Sequence, residues 1–471
     1  MRLLVVGGGI TGLAAAWEAV RGAPDRAPAE VLLVDASERL GGKLETEAVD
    51  GLLIEHGPDS FVSYRPAALQ LATEVGLGDE VISTTGTRTV YLRSRGKLRP
   101  LPAGMGMVLP NRIGPFVTTG ILSPADKLRA GIDLLLPRQL REGEDVAVGA
   151  FLRARLGGGI VRRFADPMIG GIYGASVDEL SLDAVLPSLR ADEDAHRSLM
   201  LAAIAQGRKA RASGRGPGSP FRTLRHGLGS LVDAVAGQLA AAGVDLRLGT
   251  SVTELRPLGN GAQVRLSDGT TETVDAVILA GGVRSSARLL AEAAPAASAA
   301  LSQTPLATST VVSLAYPASA FDQPLTSHGW LEADASPISG VTVSSAKWAE
   351  RAPEGLVLIR AFVPERLGAI ASAPEAELLA AVTTHIGAVL GLREAPVLIR
   401  AKRWQAMMPK YTVGHPARVR QVDEGLAHLP GWRVAGSALR GVGVPDCVAD
   451  GRRQAEQVLG RTFAGGDKVG A

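Results

Sequence analysis

Four apolar residues, Leu3-Leu4-Val5-Val6, run without alternation straight into Gly7-Gly8-Gly9-Ile10-Thr11-Gly12. An unbroken apolar run of this length reads as a strand buried on both faces, the kind found inside parallel sheets. Leu13-Ala14-Ala15-Ala16-Trp17 continues as a helix, an Ala- and Pro-rich loop covers 22–29, and a second apolar run, Val31-Leu32-Leu33-Val34, ends on Asp35. The pattern predicts a β-α-β unit. Further along, His226-Gly227-Leu228-Gly229-Ser230-Leu231 opens a helix through Leu239, with a strand pattern after it over Val244-Asp245-Leu246-Arg247-Leu248. Ala276-Val277-Ile278-Leu279-Ala280-Gly281 and Trp432-Arg433-Val434-Ala435-Gly436 read as more buried strands, and a C-terminal helix is expected from Val448. The uncharged stretch 293–321 is long enough to span a bilayer, but Pro295, Pro305, Pro317 and many hydroxyl residues predict a loop and a strand there.

The glycines carry the first chemical signal. Gly7, Gly9 and Gly12 have the G-x-G-x-x-G spacing, in which the first makes a tight turn, the second lets backbone approach a pyrophosphate and the third lets the helix pack closely. The helix amino-terminus then faces the phosphates. An acid about 20 residues beyond the glycines, at the end of the second strand, is where a ribose hydroxyl is bound, and Asp35 stands there. These features imply a dinucleotide site, without a choice between nicotinamide and flavin.

Composition narrows the class. With 471 residues, 46% of them hydrophobic, the chain can bury a core large enough for two or three domains. Its 50 Lys and Arg against 47 Asp and Glu leave a net charge of only +3, which gives no sign of nucleic-acid binding. One cysteine, Cys447, excludes an internal disulfide and an all-cysteine cluster. The histidines are scattered without short ligand spacings, so no metal is expected. No leader pattern precedes the first strand, and a cytoplasmic protein is expected.

The segment that starts at Asp35 decides the cofactor. Asp35-Ala36-Ser37-Glu38-Arg39-Leu40-Gly41-Gly42-Lys43 resembles the acid-x-x-x-Arg-x-Gly-Gly-basic extension of the amine oxidase superfamily, whose charge and bare backbone suit the pyrophosphate of FAD. Glu55-His56-Gly57-Pro58-Asp59-Ser60-Phe61 resembles the E-x-G-P-x-S-F element of the oxygen-dependent porphyrinogen oxidases. Arg440-Gly441-Val442-Gly443-Val444-Pro445-Asp446-Cys447 resembles their closing motif. Arg99-Pro100-Leu101-Pro102, Gly171-Ile172-Tyr173-Gly174-Ala175 and Trp404-Gln405-Ala406-Met407-Met408-Pro409 match the family in order. Two departures stand out: Asp35 replaces the Glu of many relatives, and Lys43 replaces the Arg usual in the wider superfamily.

The resemblance implies an α/β, mixed α+β, architecture: a Rossmann-type FAD-binding domain from 1–78, 227–290 and 420–471, an inserted mixed-sheet substrate domain from 79–98 and 291–419, and an inserted helical domain at 99–226. It implies one non-covalent FAD, held by Gly7, Gly8, Gly9, Ile10, Thr11, Gly12, Asp35, Ser37, Arg39, Gly42, Lys43, Gly57, Pro58, Asp59, Ser60, Val252, Trp404, Gly436, Val442, Gly443 and Val444. The implied substrate is a porphyrinogen, coproporphyrinogen III of the Gram-positive type or protoporphyrinogen IX, with Arg99, Gly171 and Gly174 at the substrate. Dioxygen is the implied electron acceptor, the flavin takes the hydride, and no catalytic base is assigned. Residues 102–137 resemble the family's membrane-association segment, with a core helical layer covering the substrate cavity as the equal alternative, a ferrochelatase is an implied recipient of product, and the basic stretch 208–225 is expected to be a mobile loop. A carotenoid desaturase or amine oxidase, and a non-catalytic flavin-binding regulator, remain as alternatives.

Overall fold

A computed structural model describes residues 1–21, 29–86, 89–106, 108–109, 111–212, 218–259 and 261–460. The chain divides into two compact units. Among the described residues, the first gathers those within 1–83, 220–304 and 416–460, and the second those within 84–219 and 305–415.

The first unit is built on a parallel sheet of five strands, in the order Asp245–Arg247, Glu30–Val34, Arg2–Val6, Ala276–Leu279, Trp432–Val434. Leu3, Leu4, Leu32, Leu33, Val277 and Ile278 are fully buried or nearly so, which is why these runs show no polar alternation. Helix Ile10–Val20, helix Gly229–Ala241 and the C-terminal helix Val444–Val458 enclose one core through Leu13, Leu231, Val235, Val448 and Ala455. The loop expected at 22–29 lies almost wholly outside the described residues.

Three boundaries differ from the sequence expectation. The C-terminal helix starts at Val444 rather than Val448, because extended Gly443 ends the preceding turn and Pro445 fits the first turn, where no N–H is needed. The stretch read as a loop before residue 306 forms helix Pro295–Ser302 on the same principle, and the long strand Leu306–Pro317 comes after it. The basic stretch 208–225 is not a loop throughout: helix Leu199–Ala212 enters it, and Phe221–Leu224 pairs with both Val81–Ser83 and Phe61–Val62. Residues 213–217 lie outside the described residues.

The second unit holds a seven-stranded sheet, ordered Leu398–Pro409, Leu306–Pro317, Leu356–Pro364, Gly340–Val343, Gly329–Glu332, Val90–Ser94, Lys97–Pro100. Only the Gly329–Glu332 and Val90–Ser94 pair is parallel. Helix Glu375–Leu390 seals one face, setting Leu378, Val382 and Ile386 against Val312, Leu314, Ile359 and Ala361. The same unit contains the helices Ile113–Thr118, Pro124–Gly131, Val148–Leu156 and Pro187–His196, and a π-helical stretch, Val161–Gly170, that carries Pro167. Arg155 is wholly buried among them. Its guanidinium lies 2.6 Å from Asp133 and 3.3 Å from Glu193, and Asp133 in turn accepts from Ser198 Oγ at 2.6 Å.

Candidate active site

The glycine turn is shaped by close backbone contacts. Gly7 has φ +110, and a Cβ on Gly12 would lie 1.9 Å from the Gly7 carbonyl oxygen, so only glycine lets helix Ile10–Val20 come this near the first strand. Gly9 is different, because nothing lies within 4 Å of where its Cβ would stand. It caps the helix with extended φ −69 and ψ 172, leaving a bare, open backbone surface at the amino-terminal end of the helix. From the other side Gly42, at φ +57, would bring a Cβ to 3.3 Å from Gly9 Cα. The two glycine turns therefore pass against each other, fixed by the bond from Gly41 N to Gly8 O at 2.8 Å.

Asp35 ends the second strand and turns its carboxylate back on this turn. Oδ2 accepts from Gly8 N at 2.5 Å and Oδ1 from Ser37 N at 2.7 Å. The backbone of Asp35 and Ser37 also pairs with Thr250 and Gly249, which places the start of strand Val252–Leu258 beside the acid and buries Val252. Arg39 spends its guanidinium inside the turn, on Leu40 O at 3.0 Å, Leu44 O at 3.2 Å and Glu45 at 2.6 Å, and also on Gly42 O. It braces the double-glycine loop from within.

The E-x-G-P element joins the same surface. Gly57 passes so near Lys43 that a Cβ would meet its carbonyl oxygen at 1.9 Å. Asp59 and Ser60 bond to each other at 2.9 Å through their side chains. Glu55 is buried, accepts from Leu228 N at 2.7 Å and from Thr46 Oγ1 at 2.8 Å, and so ties the start of helix Gly229–Ala241 to the hairpin that precedes Gly57.

The closing motif folds over the acid within it. Gly441, at φ +120, and Gly443 both lie against the Asp446 side chain, which Arg65 pairs. Burial raises the Asp446 carboxyl despite that arginine. Gly436 stands at φ +101 against Thr11, and its N–H donates to buried Asp450 at 2.7 Å. Lys43 reaches this region, with Nζ 3.4 Å from Ser437 Oγ, and burial lowers its pKa. Burial likewise pushes the Cys447 thiol up to about 11, so it stays protonated and donates weakly to Gly441 O at 3.7 Å.

These candidates, from Gly7 to Val444, are brought together in the first unit from three stretches of chain. The remaining ones lie in the second. Trp404, largely buried, stands on edge strand Leu398–Pro409 opposite Ser309. Gly174 is left-handed at φ +63 and would bring a Cβ to 3.3 Å from Ala307 and 3.9 Å from Met408 on that same strand. Open Gly171 comes directly after the π-helical stretch, and Tyr173 lies 6.0 Å from Tyr411, which stacks on His415 at 3.9 Å. Arg99 occupies the opposite edge strand, Lys97–Pro100, with its guanidinium against Gly120 and its buried Nε without a partner.

Two residues that shape the site are absent from the sequence candidates. Asp450 shares the buried face of its helix with Cys447, Val448, Gly451 and Ala455 but also with Arg452 and Gln454, so the pattern does not single it out. Thr46 offers no signal either: Glu55 faces it across its own hairpin, but Gly229, whose N–H it accepts, lies far along the chain.

A family model for flavin containing amine oxidoreductases matches residues 10–459. The chain belongs to that family. Among its relatives are coproporphyrinogen III oxidases. That of Propionibacterium freudenreichii subsp. freudenreichii is 56% identical over 98% of this chain and 91% of its own length. That of Bacillus subtilis (strain 168) is 33% identical over 98% of both chains. A solved structure from Exiguobacterium sp. 255-15 superposes with a TM-score of 0.83 at 30% identity, covering 97% of this chain and 98% of that one. The protein is an oxidoreductase of the Gram-positive coproporphyrinogen oxidase type within this flavin family. Among the described residues no group of acids, histidines or cysteine could hold a metal, and no helix is long and apolar enough to cross a membrane.

Proposed function

We propose that this chain oxidises coproporphyrinogen III to coproporphyrin III, with FAD bound non-covalently in the first unit and three dioxygen molecules reduced to three of hydrogen peroxide. The full-length likeness to the Propionibacterium oxidase carries this reading. The bare surface of Gly9, passed closely by Gly42, suits a pyrophosphate, and any side chain on Gly9 would fill it. Asp35 would accept from the ribose hydroxyls on the carboxylate lone pairs that Gly8 N and Ser37 N leave open, and Val252 stands at the adenine end. Gly57, Pro58, Asp59 and Ser60, with Val442, Gly443 and Val444, offer backbone to the ring.

FAD held there would supply the hydride acceptor for three two-electron steps, which together take three hydrides from bridge carbons while three protons leave, one from the remaining bridge and two from ring nitrogens. The chain's own work is to bind, orient and exclude water. Arg99 has the planar fork that grips a carboxylate at two points, and Gly171 and Gly174 let a flat macrocycle meet backbone. Cys447 stays a thiol and takes no part.

Peripheral contact with an anionic membrane on the cytoplasmic side belongs to the same reading. Val117, Leu128 and Leu135 are 54%, 76% and 79% exposed, and exposed Arg138 and Arg141 come next along the chain. Co-flotation with phosphatidylglycerol vesicles tests it, and no enrichment over neutral vesicles would remove it. Direct transfer of product to a ferrochelatase is tested by whether a porphyrin-trapping protein intercepts it.

The central experiment measures porphyrin fluorescence and peroxide together on coproporphyrinogen III and protoporphyrinogen IX. Three peroxides per porphyrin and a preference for the four-propionate substrate are expected. FAD-loaded protein that oxidises neither would refute the proposal, and a flavin that stays oxidised under anaerobic porphyrinogen would point to a regulator.

A further inference from the structure

The seven-stranded sheet has one face sealed and one that is chemically unusual. On strand Leu306–Pro317, Ser313 is in register with Arg360 on one side and Arg400 on the other, and Val311 is in register with Phe362 and Lys402. Residues paired directly across antiparallel strands project from the same face. The alternate residues, including Val312, Leu314, Ile359 and Ala361, face helix Glu375–Leu390. The second face therefore presents Arg400, Lys402, Trp404, Arg360 and Phe362 side by side.

Two of these cations lie on aromatic rings. Lys402 Nζ is 5.1 Å from the Trp404 ring, and the Arg360 guanidinium is 5.4 Å from the Phe362 ring. Ser313, in register with both arginines, is only 1% exposed, as is Arg360, so this part of the face is covered, and the cations that stay partly open to solvent are Arg400 and Lys402 on the edge strand. Aromatic surface beside fixed cations is the chemistry that receives a flat, polycarboxylate molecule.

We propose that Arg400 and Lys402, both half-buried on the edge strand, bind substrate carboxylates and set the preference for the macrocycle with four propionates. This rests on the porphyrinogen reading above. Their spacing of two residues puts both on one face about 7 Å apart along the strand, so each can meet a separate propionate. The divinyl macrocycle, with two propionates, has fewer carboxylates to bring, and the pair would separate the two substrates by binding rather than by chemistry.

The test uses FAD-loaded enzyme carrying Arg400→Met, Lys402→Met or the conservative Lys402→Arg, with flavin absorbance confirming full loading. Each Met variant should raise KM for coproporphyrinogen III about tenfold or more with little change in kcat, as loss of a charged hydrogen bond implies. It should weaken coproporphyrin III binding in a Soret titration to the same extent. kcat/KM for protoporphyrinogen IX should change by less than about twofold, and Lys402→Arg should keep the wild-type preference. Equal losses on both substrates, or no loss on either, would overturn the assignment. Unchanged kinetics with new self-association would also overturn it, showing instead that the charges guard an open sheet edge. Failure of the underlying reading looks different, because wild-type enzyme would then oxidise neither porphyrinogen.

Discussion

Replacing Gly9 and Gly12 separately by alanine distinguishes a glycine needed by the fold from one needed by the ligand. At Gly12 the new Cβ would sit 1.9 Å from the Gly7 carbonyl oxygen, about 1.1 Å inside the 3.0 Å that Cβ contacts respect. Neither partner is a flexible side chain, so Gly12→Ala should cost the apoprotein about 1–3 kcal/mol, toward the upper end. At Gly9 the Cβ meets nothing and the backbone is already extended. Loss of chain entropy in the unfolded state should stabilise Gly9→Ala by about 0.4–1 kcal/mol, offset by alanine's poorer capping, so the apoprotein should melt close to wild type. The cofactor should report the difference. FAD at 100 times its Kd stabilises the wild type by about 2.7 kcal/mol, and a hundredfold weaker site would keep only about 0.4 kcal/mol of that. At about 2–4 °C per kcal/mol for a unit of this size, the Gly9→Ala protein should melt about 5–9 °C below wild type when FAD is present and level with it when FAD is absent. Differential scanning fluorimetry with and without FAD, alongside a flavin-quenching titration, makes the measurement. A Gly9→Ala protein that binds FAD like wild type would refute the placement of the pyrophosphate at this turn.

Glu55→Ala should lower apoprotein stability by about 2–3 kcal/mol in urea unfolding, because two acceptors that hold Leu228 N and Thr46 Oγ1 are lost together. Arg155→Met should cost about 3–5 kcal/mol, since it strands Asp133 and Glu193 as buried charges, and limited proteolysis should open the helical segment first. Burial would raise Glu74, but hydrogen bonds from Arg452 and Trp17 and the charges of Arg452 and Arg21 outweigh it and hold this carboxyl below its ordinary 4.5. A depressed carboxyl contributes stability above its unfolded pKa and loses it as pH falls through the folded value. Wild type should therefore exceed Glu74→Gln in melting temperature at neutral pH, with the gap closing below pH 4.5. A constant gap across that range would contradict the network.

The parts of this molecule that could be read from sequence are those whose cause is local. Leu3 to Val6 are apolar on both faces because both faces are covered, and Gly7, Gly9 and Gly12 are set by a turn of six residues. The helix boundaries that differed turn on proline at a first turn, as at Pro295 and Pro445, where the same residue that breaks a helix interior starts one. Asp450 and Thr46 were not legible because their partners, Gly436 and Gly229, are fixed only after the chain has folded. The motif around Arg39 reads as a phosphate ligand, whereas the bonds it makes to Leu40, Leu44 and Glu45 depend on the curl of the loop around it.

Thr11 near the start of the chain accommodates the C-terminal helix so closely that a Cβ on Gly451 would meet its carbonyl oxygen at 2.2 Å. The opening helix therefore cannot complete the burial of its apolar surface until helix Val444–Val458 has been made. At about 5–20 residues per second, the nascent amino-terminus waits on the order of 20–90 s with that surface exposed. The nucleotide fold closes only once helix Val444–Val458 has emerged, which makes cofactor loading a late event and the growing chain a natural client for chaperones.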